Sequence, residues 1–295
     1  MDLHFPCSGL PFPPDALRLR AFPPDRENLL MKILKAFLAA IAFLTFGLTP
    51  AWAIKNGSLD GDGHPYVGLM VAQTADGTPL WRCSGTLLSP TLFLTAGHCT
   101  EAPAAHAEIW FDADVQSGVP FNGYPHTGDT GGAVYTHPNY DPNAFFHFDL
   151  GVVVLDTPMA MGQYGALPQQ DVLDQLARRR GLKNVDFTAV GYGLQEINPV
   201  FVQALKVRMV ATPYLIQINT PGFTGDFSLL LSNNNSTGGT CFGDSGGPNF
   251  IGDTNVVGGV TSFGINGNCA GTGGVYRVDR ADDLNWLYSA FGDQL

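Results

Sequence analysis

The sequence predicts an all-β fold, on three observations. Turn formers are abundant, with 36 Gly and 21 Pro in 295 residues, as suits many short strands joined by tight connections. Short apolar runs recur between turn clusters at 66–72, 86–88, 92–95, 107–111, 150–155, 185–190, 204–211, 256–261 and 274–278, a spacing that fits sandwich or barrel packing and not βαβ units. Hydrophobic residues make up 45% and charged ones 14%, enough to bury a real core and too apolar for a disordered chain.

The first segments stand outside that pattern. Residues 1–30, with Pro13-Pro14 and Pro23-Pro24 and no periodicity, read as an upstream extension that is not part of the fold. Residues 31–53 read as a secretory signal: a basic start at Met31-Lys32-Ile33-Leu34-Lys35, an apolar run over 36–48, and the small-x-small triplet Ala51-Trp52-Ala53. That run is shorter than the ~20 residues that span a bilayer, which argues against an anchor. The mature chain is therefore expected to be secreted, either outside the cell or in a periplasm, with a bacterial source suggested by the short leader.

Removing 1–53 takes away five of the 15 basic and four of the 26 acidic residues, so the acidic excess of 11 grows by one. Such a surface repels nucleic acid and anionic membranes, and neither is an expected partner. Of five cysteines, Cys7 leaves with the leader. The four that remain behind a secretory signal imply two disulfides, with three connectivities open on the residues alone.

Along the mature chain, residues 160–183, including Arg178-Arg179-Arg180, read as a solvated link between two halves of similar size. At the end, Leu284, Leu287, Tyr288 and Phe291 recur at helical spacing behind Asp282 and Asp283, predicting a closing helix over 281–291 packed on the second half. No P-loop, dinucleotide fingerprint or zinc-spaced Cys/His cluster occurs, so no cofactor or metal is expected.

Three segments carry chemistry. Gly243-Asp244-Ser245-Gly246-Gly247-Pro248 places a serine where glycines let the chain turn tightly and another backbone approach. A serine hydroxyl needs a neutral base to become a nucleophile. Thr95-Ala96-Gly97-His98-Cys99 supplies one directly after an apolar strand, beside a cysteine that can reach Cys83. The base in turn needs an acceptor on its other ring nitrogen. Asp149 heads the apolar run 150–155, where an unpartnered carboxylate would be costly to bury. Asp156, before Thr157-Pro158, reads as a turn residue, and Asp112, Asp114, Asp129 and Asp141 as solvated loop residues. The hexapeptide also fits the Gly-x-Ser-x-Gly elbow of α/β-hydrolases, but that fold takes its histidine from after the serine, and all seven histidines here lie at or before His147.

Taken together, Thr-Ala-Gly-His-Cys, Asp-Leu-Gly-Val-Val, Gly-Asp-Ser-Gly-Gly-Pro and Thr261-Ser262-Phe263-Gly264, in that order, resemble the chymotrypsin/trypsin-like serine proteases over nearly all of 54–295. The resemblance implies two six-stranded antiparallel β-barrels, at about 54–165 and 184–280, with the active site between them. It implies disulfides Cys83 to Cys99 and Cys241 to Cys269. It implies His98, Asp149 and Ser245 as the catalytic triad, with the N–H groups of Gly243 and Ser245 as oxyanion hole. Ser262 would bond near Asp149, and the backbone of Ser262, Phe263 and Gly264 would pair with substrate; Phe263 stands where the family usually carries Trp.

The same resemblance places a specificity pocket around Gly239, Thr240, Gly264 and Gly274. Gly239 replaces the aspartate of trypsins, so an open neutral slot is expected to favour large apolar or aromatic side chains over Lys or Arg. Signal cleavage after Ala53 would expose Ile54, whose ammonium is expected to pair with Asp244, although Lys55-Asn56-Gly57 stands in place of the usual Val-Gly-Gly. The enzyme is expected to act as a monomer on protein or peptide substrates. Two alternatives are a catalytically silent binding module, which would normally have lost a triad member, and an esterase on the same fold.

Overall fold

The computed structural model describes residues 54–177, 185–198 and 200–295. The upstream extension, the signal and the Arg178-Arg179-Arg180 run lie outside the described residues. After the short β1 (Ser58–Leu59), six antiparallel strands close the first barrel in the order β2-β3-β4-β7-β6-β5: β2 (Val67–Gln73), β3 (Pro79–Leu87), β4 (Leu92–Thr95), β5 (His106–Trp110), β6 (Thr130–Thr136) and β7 (Gly151–Leu155). All of β2 is buried because both of its faces are covered. Met70 and Ala72 belong to the main core, while Leu69 and Val71 pack with Trp110, Val115 and Tyr192, the period of two that a pleated strand dictates.

The second half contains β8 (Phe187–Gly191), the hairpin β9 (Glu196–Asn198) and β10 (Phe201–Gln203), then β11 (Met209–Ala211), β12 (Leu215–Thr220), β13 (Gly225–Asn233), β14 (Pro248–Ile251), β15 (Val257–Gly264) and β16 (Gly271–Arg277). The expected second six-stranded barrel is here one eight-stranded sheet, in the order β1-β11-β8-β14-β15-β16-β13-β12. It curls back on itself and meets at a single bridge, Asp186 to Tyr214, where Phe187 donates its N–H to the Pro213 carbonyl and Leu215 donates to Val185, both at 2.8 Å. Pro213 explains the incomplete closure. Without an N–H it cannot extend the ladder, so what would be one long strand is cut into β11 and β12.

Arg208 locks the two halves together. Its fully buried guanidinium bonds Asp60 at 2.9 Å, the Phe111 carbonyl at 2.8 Å and the Tyr192 hydroxyl at 3.1 Å. The closing helix runs over Ala281–Phe291 as its spacing predicts, but it packs on both halves rather than on the second alone. Asp283 accepts the Tyr276 hydroxyl of β16, whereas Phe291 meets Tyr135 of β6 and Trp286 meets His137, with ring centroids 5.4 and 4.9 Å apart.

Candidate active site

The buried strand β4 delivers its chain directly into the helical turn Gly97–Thr100, which carries His98. The Cys83–Cys99 disulfide anchors that turn to β3, and the Trp81 indole N–H holds the Cys99 carbonyl at 3.0 Å. Asp149 precedes β7 and is fully buried. It survives there because three donors surround it. The His98 backbone N–H lies 2.8 Å from Oδ1, the His98 ring Nδ1 lies 2.9 Å from Oδ2, and the Ser262 hydroxyl lies 2.5 Å from Oδ2. A carboxylate only accepts, so Nδ1 carries the ring proton and Nε2 is left with its lone pair. Burial disfavours the imidazolium, but the charge and hydrogen bond of Asp149 outweigh it and raise the His98 pKa above the usual 6.5.

Ser245 sits in a turn built from glycines at positive φ, Gly243 at 94° and Gly246 at 76°. A side chain at Gly246 would bring its Cβ within 2.0 Å of Thr95 Oγ1, so glycine is needed both for the dihedral and for the close approach of β4. Surrounding bonds fix the turn: Ser84 donates its N–H to the Ser245 carbonyl at 2.8 Å and its hydroxyl to the Gly243 carbonyl at 2.9 Å, and Gly246 donates to Thr261 at 2.8 Å. Among the described residues the N–H groups of Gly243 and Ser245 donate to nothing. They remain available to a ligand.

His98 and Ser245 line one cavity of about 320 Å³, together with Thr240, Cys241, Ser262, Phe263 and Gly264. The Cys241–Cys269 disulfide joins two of its walls. Gly239 and Gly274 do not line it as expected. The space beyond Gly239 is filled by Asn233, whose Cγ would lie 2.4 Å from a Cβ there, and that beyond Gly274 by the Phe263 ring at 2.3 Å. Phe145 and Phe242 line the cavity instead, and Phe146 and Phe223 meet the Phe263 ring edge-on. Sequence reasoning missed these aromatics; the cluster Phe145-Phe146-His147-Phe148 just before Asp149 was the available signal.

Asp244 is fully buried and points away from Ser245's cavity. Its oxygens accept the N–H of Gly193 at 2.7 Å and of Cys241 at 2.8 Å, and burial pushes its pKa up to about 7. Ile54 is also fully buried, packed with Ala189, Met209 and Ala211.

Comparison with known proteins matches this architecture. The family model described as Trypsin covers residues 61–284. The chain is 24% identical over 249 residues to a collagenase of Hypoderma lineatum, covering 81% of this chain and 90% of that protein. It is 29% identical over 204 residues to brachyurin of Leptuca pugilator, covering 64% and 79%. An ovochymase of Halocynthia roretzi is 24% identical over 220 residues, 70% of this chain but 13% of that protein's length. The solved structure of an HL collagenase superposes with a TM-score of 0.64 at 21% identity, over 81% of this chain and 99% of the other, a likeness of fold. The chain belongs to the trypsin family of serine endopeptidases.

Proposed function

We propose that Ser245 is the nucleophile, His98 its general base and Asp149 the group that orients His98 and stabilises its imidazolium, in a secreted, monomeric endopeptidase working through an acyl-enzyme. The observation that carries this is the His98–Asp149 pair, with its free Nε2 on the cavity that Ser245 also lines. Attack of the Ser245 oxygen on a peptide carbonyl transfers the hydroxyl proton to His98 Nε2. That proton then passes to the leaving amine, and water repeats the sequence on the ester. The uncommitted N–H groups of Gly243 and Ser245 stabilise the oxyanion, a donor of this kind being worth about 10²- to 10³-fold in rate. Aromatic walls and the lack of a charge at Gly239 support a preference for large apolar or aromatic side chains at the residue before the cleaved bond.

Maturation follows from the leader. Cleavage after Ala53 gives Ile54 a free ammonium, and the buried Asp244 carboxylate, with no cationic partner within bonding distance among the described residues, is its counter-charge. N-terminal sequencing of active secreted protein should begin at Ile54.

The test of the catalytic assignment is covalent. A fluorophosphonate should label Ser245, and Ser245→Ala should abolish labelling and cut peptide hydrolysis by about 10⁶-fold. Wild-type protein that resists the probe would instead favour the silent binding module, and ester turnover without peptide turnover would favour the esterase.

A further inference from the structure

Five non-glycine residues among those described have a positive φ: Asn56, Phe148, Asp171, Asn219 and Cys269. Asn and Asp tolerate that region, because a short polar side chain can bond the local backbone there, and Cys269 is tied to Cys241. Phe148, at 51°, has neither reason. A bulky residue keeps such a dihedral only where its surroundings over-determine it. Here two rings do so. Phe148 stacks on His137, with centroids 5.0 Å apart and planes at 12°, and meets Phe227 edge-on at 5.0 Å and 63°. Phe227 is itself held between Tyr276 and the Arg280 guanidinium.

The dihedral governs the side chain that follows, Asp149. Beyond it, Leu150 is pinned at both ends: its N–H donates to the Phe148 carbonyl at 2.8 Å, and its carbonyl accepts the His137 N–H at 2.9 Å. The turn that carries His98 rests on this segment, since a Cβ at Gly97 would lie 3.1 Å from the Leu150 nitrogen. A rotation at Phe148 would therefore be passed to Asp149, whose carboxylate stands 2.9 Å from His98 Nδ1.

We infer that Phe148 is a positioning residue: its ring, clamped between His137 and Phe227, holds a left-handed backbone that delivers the Asp149 carboxylate to His98. The inference rests on the triad proposed above and identifies what aims it.

Substitutions at Phe148 separate the ring from the dihedral. Phe148→Ala keeps the cost of a positive φ without the ring that offsets it, so kcat should fall about 10²-fold with KM little changed. Phe148→Gly also lacks the ring but adopts positive φ freely, and should recover about tenfold of that loss. Phe148→Tyr keeps the stack and should stay within about twofold of wild type. A side chain that only filled space would give the reverse order, with glycine at or below alanine, since glycine costs more entropy and packs less. Phe148→Leu, which keeps apolar volume without the stack, should lose kcat as alanine does and stands in for an alanine variant that does not fold. Wild-type kcat in a folded Phe148→Ala or Phe148→Leu overturns the inference, and so does glycine no better than alanine. Proton NMR reads the pair without turnover. The downfield His98 Nδ1–H resonance should persist in Phe148→Tyr and weaken in Phe148→Leu, and an unchanged resonance in Phe148→Leu also overturns the inference. Should a fluorophosphonate fail to label wild-type Ser245, the endopeptidase reading falls, while that resonance still decides whether Phe148 aims the pair.

Discussion

Two of the three histidine–aspartate pairs among the described residues, His98–Asp149 and His137–Asp283, are built from the same residue types in opposite environments. His98 and Asp149 meet at 2.9 Å, with the ring partly exposed on the cavity. His137 and Asp283 approach to 3.8 Å, both buried between the halves and the closing helix. Around Asp149 the donors are two groups of His98 and the Ser262 hydroxyl, an environment suited to a carboxylate. Among the described residues only the Tyr276 hydroxyl lies at bonding distance from the Asp283 carboxyl, and burial pushes its pKa up to about 8. The histidines diverge in the same sense. Asp149 lifts the His98 pKa, whereas burial lowers that of His137, whose Nδ1 accepts the Asn139 N–H at 3.2 Å and whose ring stacks on Phe148. Residue type therefore does not make a catalytic pair. The proposed catalytic pair is set apart by three donors on the acid and a free ring nitrogen on a cavity.

Replacing each acid by its amide separates the pairs most sharply. Asp149→Asn should lower kcat by about 10⁴-fold at neutral pH, because an amide no longer enforces the Nδ1–H tautomer or stabilises the imidazolium. Asp283→Asn should leave kcat within about twofold, since an acid with a pKa near 8 is already mostly neutral at pH 7. Steady-state kinetics on one peptide substrate reads both. A large loss in Asp283→Asn would erase the distinction. Ser262→Ala is a smaller perturbation of the first pair: losing one donor to Asp149 should cost about tenfold in kcat with KM little changed.

The pH profile tests the same contrast. As the proposed general base, His98 must be neutral, and its pKa is raised, so kcat/KM should fall as pH drops through a midpoint above 6.5. Ser262→Ala should move that midpoint further up, because an Asp149 carboxylate relieved of one donor keeps more negative charge to stabilise the imidazolium. His137→Phe should leave it in place.

How much of this was legible beforehand depended on how local each signal was. The strand Leu92–Thr95 and the helix Ala281–Phe291 fall where their periodicity put them, because apolar spacing along the chain is enough to define them. The strand Thr130–Thr136 was invisible, since Thr-Gly-Gly-Ala-Val-Tyr-Thr has a poor β pattern. Its glycines answer to a neighbour: a Cβ at Gly132 would lie 2.2 Å from the Val154 carbonyl. The same holds for the site. His98, Asp149 and Ser245 each sit in a short motif whose composition is odd enough to notice. Phe145 stands in the aromatic run Phe145-Phe146-His147-Phe148, which is noticeable in sequence, but only tertiary convergence puts it on the cavity wall. Asp283 misled in the opposite direction. In sequence it reads as a first-turn acid complementing the helix dipole, yet it is fully buried beneath the helix on Tyr276.

That burial gives the last and smallest test. Asp283 has a folded pKa of about 8, raised by burial and by the neighbouring Asp282 charge against the opposing pull of Tyr276 and Arg280. An unfolded aspartate titrates near 3.9. Below that value both states hold the proton and the group has no effect on stability. As pH rises from about 4 to 8 the unfolded chain releases its proton while the folded one keeps it, so folding is progressively disfavoured, and the loss levels off above the folded pKa. Asp283→Asn cannot titrate. Its Tm relative to wild type should therefore climb across that window, by a few degrees for each ~1 kcal/mol of the Asp283 contribution, and the gap should be flat outside it. A gap that does not change with pH would mean that Asp283 is ionised in the folded protein, and that the second pair is closer in kind to the first than its geometry implies.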